Sequence, residues 1–162
     1  MARFLMMLTY MAGGAGVAVA FYYLGSDGKR ALTAVTIACA VIGLVSWVRH
    51  VLVWQEDARR LNAAGQATPF FQWETGFANG AFAIAGLMAV VFDWGVAAMA
   101  VAVLGYALYL LQAALLNGRR YFSGQSRTPA RLWGSFVANA ALCIMVGVIA
   151  FIALSDAALG PF

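Results

Sequence analysis

The chain has 162 residues, 64% of them hydrophobic and only 10% charged, with a mean hydropathy of +0.85. Soluble domains carry roughly a quarter of their residues as charges, so this composition excludes an ordinary water-soluble fold and implies that lipid covers much of the apolar surface. The formal charge of +4 does not indicate nucleic-acid binding, because the basic residues flank apolar runs instead of gathering on a polar domain.

A hydrocarbon layer of roughly 30 Å is crossed by about 20 helical residues. Five stretches reach that length, near 4–24, 31–50, 70–92, 95–116 and 132–154. The first follows Arg3 and contains Ala18-Val19-Ala20, which imitates the small-x-small pattern of a signal-peptide cleavage site. Its apolar character continues to Leu24, long enough to span by itself, and it is expected to be an uncleaved first helix. Gly13, Gly16 and Ala20 give it a stripe of small residues for helix packing.

Gly25-Ser26-Asp27-Gly28-Lys29-Arg30 supplies turn residues and leads into the second helix, with Cys39 near its middle and His50 at its end. In the following segment, 51–68, Val51, Trp54, Ala58 and Leu61 recur at helical spacing opposite Glu56, Arg59 and Arg60. That pattern predicts a helix at the headgroup level or an extension of the second helix, with Glu56-Asp57 and Arg59-Arg60 on a solvated face.

The third helix opens on Thr68-Pro69-Phe70-Phe71-Gln72-Trp73-Glu74-Thr75-Gly76-Phe77-Ala78-Asn79-Gly80. Gln72, Gly76, Asn79 and Gly80 share one stripe, small and partly polar, which suits the central packing helix of a bundle or, in a sharper reading, the wall of a cavity. Glu74 points away from that stripe, about one turn inside the membrane boundary. A carboxylate there is costly unless neutral, paired or reaching the interface, and Arg49, His50, Arg59 and the arginines of 117–131 are the partners on the same side. His50, which titrates near neutrality, is the natural second member of a protonatable site.

The third and fourth stretches are separated only by Asp93-Trp94-Gly95. As one helix, residues 70–116 would reach about 70 Å, more than a bilayer accommodates, so a tight turn is predicted there. The fourth helix sets Tyr106, Tyr109 and Gln112 on adjacent turns, and 117–131, with Gly118, Gly124 and Pro129, is expected to form a second basic loop. The last helix repeats Ser135, Asn139, Cys143 and Gly147 every four residues, a stripe suited to interhelical hydrogen bonding. Tyr22, Tyr23, Trp47, Trp54, Trp73, Trp94, Tyr121 and Trp133 fall near predicted boundaries, as interfacial anchors do.

Charge fixes an orientation. Arg3, Arg49, Arg59, Arg60, Arg119, Arg120, Arg127 and Arg131 fall on one side of five crossings, and Lys29 and Arg30 on the other beside Asp27, Asp93 and Asp156. Cytoplasmic loops carry the Lys/Arg excess, so an all-α bundle of five transmembrane helices is expected in a bacterial cytoplasmic membrane, N-terminus inside and C-terminus outside, as one integral membrane domain.

Signals for chemistry are sparse. His50 is the single histidine, Cys39 and Cys143 lie far from any metal-ligand spacing, and no Walker loop, GxSxG, HExxH or GxGxxG occurs. A hard-metal group of Glu56, Asp57 and Glu74 is conceivable but not required by spacing, and no metal or cofactor is predicted.

Pro69-Phe70-Phe71-Gln72-Trp73-Glu74-Thr75-Gly76-Phe77-Ala78 resembles the Pro-Phe-Gln-x-Glu-x-Gly-Phe-Ala type signature of an uncharacterised bacterial multi-pass family, DoxX-like in style, with one extra residue before Gln72. The resemblance covers roughly 68–88 and implies a compact helical bundle. The histidine those relatives tend to carry at the end of the next helix is replaced here by Leu115-Leu116-Asn117.

Two functions are therefore expected in competition. One is an accessory or scaffolding subunit that contacts membrane lipids and larger membrane proteins through helix-packing residues Gly13, Gly16, Gly76, Gly80 and Asn139. The other is a small carrier or binder of a lipophilic or proton-coupled solute, its site formed by Glu74, Gln72, Asn79, His50 and Tyr109, where contact with lipid, quinone or pigment would use the same residue types.

Overall fold

The structure, a computed structural model, describes residues 1–60, 69–125 and 127–159. Among them every regular element is helical: α1 (Ala2–Leu24), α2 (Gly28–Leu52), α3 (Trp54–Arg60), α4 (Pro69–Val91), α5 (Val96–Phe122), and a π-helical segment (Ala130–Val137) that runs into α6 (Ala138–Leu159). Five of these helices are long and apolar enough to cross a membrane, the fifth being the continuous stretch Ala130–Ala157.

Local chemistry accounts for where the helices begin and end. Asp27 caps α2, its carboxylate accepting from the Arg30 N–H at 2.9 Å and so satisfying one of the donors a helix start leaves open. α4 opens on Pro69, which lacks an N–H and is suited to a first turn. Between α4 and α5 the chain reverses as Asp93-Trp94-Gly95 predicts: Asp93 adopts φ +46° and Gly95 φ +89°, the left-handed region that Asp tolerates and Gly favours. The Asp93 carboxylate then meets Lys29 at 2.9 Å, joining the α1–α2 and α4–α5 turns at one end of the bundle.

The opposite end gathers the arginines. There the N-terminal amine lies 3.1 Å from Glu56 of α3, and the Arg120 guanidinium sits 5.9 Å from the Phe71 ring centroid. The separation of charge into two ends matches five crossings with short connections.

Helix α2 occupies the centre, packing most extensively against α1 and α4, while α5 packs mainly on α6. This corrects the expectation that the helix containing Gly76 and Gly80 is central: 56% of the most apolar stretch of α2 is buried, against 33% for α4. The reason is size. Ala31, Val35, Ala38, Cys39, Ile42 and Gly43 keep α2 narrow, so neighbours approach on several sides. A β-carbon built at Gly43 would lie 2.6 Å from the Asn79 carbonyl oxygen of α4, and one built at Gly16 would collide with Ala38, so α1, α2 and α4 touch almost backbone to backbone. Between these helices and α5–α6, Leu32, Val35, Met99, Val103, Val146 and Ile149 form the apolar centre. Cys39 and Cys143 are both unbridged.

Two further departures concern the basic segments. α5 continues six residues into the expected 117–131 loop, through Phe122, and Arg131 is not part of a solvated loop: at 2% exposure it is the largest fully buried side chain among the described residues, donating to Asn117 Oδ1 at 3.1 Å. Of the expected helix over 51–68, α3 accounts for 54–60, offset from α2 by a break at Val53; Leu61 lies outside the described residues.

Candidate functional site

The predicted site residues divide into three places. Gln72, four residues into α4 and 4% exposed, turns toward the last turn of α2, where its Oε1 accepts from His50 Nδ1 at 2.7 Å. Arg49 Nη2 lies 3.1 Å from His50 Nε2. An arginine can only donate, so Nε2 must offer a lone pair and the imidazole proton resides on Nδ1, directed at Gln72.

Beneath this pair lies Asp57, with no exposed surface, its carboxylate oxygens 3.6 Å from Arg49 Nε and 3.5 Å from His50 Nδ1. The sequence reading set Asp57 on a solvated face beside Glu56, and the structure corrects it. The chain break at Val53 turns α3 so that Asp57 and Ala58 face the bundle while Glu56 and Arg59 face outward. A signal was present: Asp57 follows His50 by seven residues, two helical turns, and so falls on the histidine's side of a helix. A buried carboxylate needs compensating charge, which Arg49 supplies.

Two turns deeper along α4, Asn79 occupies a second polar centre. Its Nδ2 donates to Tyr109 Oη at 2.8 Å and to the Thr75 carbonyl at 2.7 Å, and its Oδ1 accepts from Tyr106 Oη at 3.1 Å. The Tyr106 and Tyr109 rings stack at 6.0 Å, and Phe82 lies 5.9 Å from each. α4 is thereby tied to α5 inside the apolar layer, where an amide without partners would be costly.

Glu74 belongs to neither centre. It is exposed on the far side of α4, among Phe70, Trp73 and Phe77, which are 71%, 37% and 57% exposed. No salt bridge joins it to another described residue, so the expected pairing with Arg49, His50, Arg59 or the arginines of the second basic segment does not form among them. The structure thus brings His50 to Gln72, and Asn79 to Tyr109, and leaves Glu74 apart from both.

The packing residues are placed as follows. Gly76 lies against Val51, His50 and Trp47 of α2, and Gly80 against the half-buried Trp47. Gly13 lies against Ile42, and Asn139 is half-buried without a hydrogen bond to another described residue. Among the described residues no three His, Cys, Asp or Glu side chains gather as a metal-holding group.

No family model, curated protein or solved structure matches the chain.

Proposed function

We propose that this small multi-pass membrane protein is an accessory subunit that packs against a larger membrane partner through the outer face of α4. Glu74 carries the reading. A carboxylate in the second turn of a spanning helix, exposed among three aromatic side chains and without an ion pair to another described residue, is costly against lipid and favourable against a cationic or hydrogen-bonding helix. The interior polar residues support the same reading, because Gln72 and Asn79 are engaged by His50, Tyr106 and Tyr109. The proposal includes the bacterial cytoplasmic membrane as location, the arginine-rich end inside, and kinship with the DoxX-like small membrane proteins.

The test places a photoreactive phenylalanine analogue at Phe77 in native membranes. A discrete crosslinked species of higher mass, lost in the Glu74→Lys variant, is expected; absence of any adduct, with the protein running alone on native mass spectrometry in mild detergent, overturns the reading.

A second reading, a carrier of a lipophilic or proton-coupled solute, has the buried His50–Gln72–Asp57 group in its favour. It requires Asp57→Asn, within that buried group, to abolish transport without loss of folded protein.

A further inference from the structure

We propose that a groove at the arginine-rich end holds one anionic phospholipid, its phosphate between Arg3 and Arg59 and its chains along Met6, Met7 and Trp133. The groove has a volume of about 1380 Å³ and runs between the first turns of α1, the outer side of α3 and the start of the π-helical segment. The inference rests on the five-helix membrane fold alone and not on the accessory-subunit reading.

Its lining changes character with depth. Along α1, Arg3, Met6/Met7 and Tyr10 follow at intervals of three and four residues, so one helix face passes from a cation to apolar surface within two turns. Trp133, Gly134 and Ala138 form the facing wall. At the deep end Tyr10 Oη donates to the Gly134 carbonyl at 3.0 Å, joining the two walls. A charged mouth over an apolar floor is the profile of a phosphodiester headgroup and its acyl chains.

The mouth is net positive. Its one carboxylate, Glu56, is held by the N-terminal amine at 3.1 Å, whereas Arg3 and Arg59 make no salt bridge with a described residue. The 28-residue stretch beginning at Ala130 also opens on this groove, adding the positive end of its dipole. A bare phosphate ion would satisfy the arginines and leave the apolar floor unused, while a zwitterionic lipid would bring its own cation against them. Basic pockets at the ends of spanning helices select anionic headgroups for this reason.

The test is native mass spectrometry of the detergent-solubilised full chain, titrated with phosphatidylglycerol and with phosphatidylcholine of the same acyl chains. The expected result is a preference of roughly thirtyfold for phosphatidylglycerol, about one and a half orders of magnitude in binding for two arginines near a headgroup. Arg3→Gln/Arg59→Gln should bring the ratio to about one, and Arg59→Gln alone to an intermediate value, whereas Arg119→Gln/Arg127→Gln, at the same end but outside the groove, should leave it unchanged. Equal affinity for the two lipids, retention of the preference in the double groove variant, or equal loss in the Arg119/Arg127 control overturns the proposal. So does displacement of the lipid by millimolar glycerol 3-phosphate, which would identify a site for free phosphate.

Discussion

Gln72 and Glu74 stand two residues apart on α4 and face opposite surroundings: Gln72 is buried with its Oε1 2.7 Å from His50 Nδ1, while Glu74 is exposed among aromatic side chains. The chemically more demanding residue is thus the one with less structural work inside the chain. Gln72→Leu removes the acceptor from a buried imidazole N–H, and Asp57 at 3.5 Å is too distant to take its place well. The expected loss is about 1–3 kcal/mol. Glu74→Gln should stay within about 0.5 kcal/mol of the parent protein. Reversible unfolding in mixed micelles at increasing dodecyl sulfate fraction measures both.

Asp57 and Glu56 give a second contrast between adjacent acidic residues. Asp57 is fully buried against Arg49 and His50, so Asp57→Ala leaves the Arg49 guanidinium facing an empty, poorly hydrated space. Removal of one member of such a pair costs about 3–5 kcal/mol, and Asp57→Asn, which keeps the shape and some hydrogen bonding, should cost less. The same unfolding measurement applies, and equal stability of Asp57→Ala and the parent would contradict the assigned burial.

The sequence made the spanning helices legible because length and hydropathy in lipid leave few alternatives: an apolar run of 20 residues must satisfy its own backbone, and only a helix does so within one segment. The Asp93-Trp94-Gly95 turn was equally readable, since a 47-residue apolar helix does not fit a bilayer. The pairing inside the bundle was not. Which helix lies at the centre depended on close approaches at Gly16 and Gly43, and small residues occur on α1, α4 and α6 as well. Asp57 and Arg131 were misplaced because residue type predicts solvent for both, and only the break at Val53 and the π-helical turn bring them inward. Gln72, Asn79 and Tyr109 were found by helical periodicity, yet periodicity gives a direction on one helix and not the partner on the next.

Glu56 provides a pH dependence whose sign follows from its contacts. The backbone N–H of Ala2 and then the N-terminal amine hold its carboxyl below the ordinary value of 4.5, with Arg3 adding a weaker effect. A carboxyl lowered in the folded state contributes stability that is present above the unfolded value and lost as pH falls through the folded one. Protection of the first turn of α1 against amide hydrogen exchange, corrected for intrinsic rates, should be constant from neutral pH to about pH 5 and decline below it. Glu56→Gln should remove that decline, and its persistence in the variant would assign the effect to another group.

Two glycines of similar appearance in the sequence should respond oppositely to the same substitution. At Gly43 a β-carbon would lie 2.6 Å from the Asn79 carbonyl oxygen and 2.9 Å from the Ala83 side chain, so α2 and α4 must separate to admit it. That separation also disturbs the helix carrying Gln72 and Asn79, and the two hydrogen-bonded centres with it. Gly43→Ala is therefore expected to cost about 1–3 kcal/mol, as overpacking of a filled interior does. At Gly147 nothing lies within 4 Å of the added carbon, and the gain is the reduced backbone freedom of alanine in a helix. Gly147→Ala should thus be neutral or stabilising by up to about 1 kcal/mol. Thermal unfolding followed by circular dichroism distinguishes the two, and a Gly43→Ala protein as stable as the parent would show that α2 and α4 are not packed this closely.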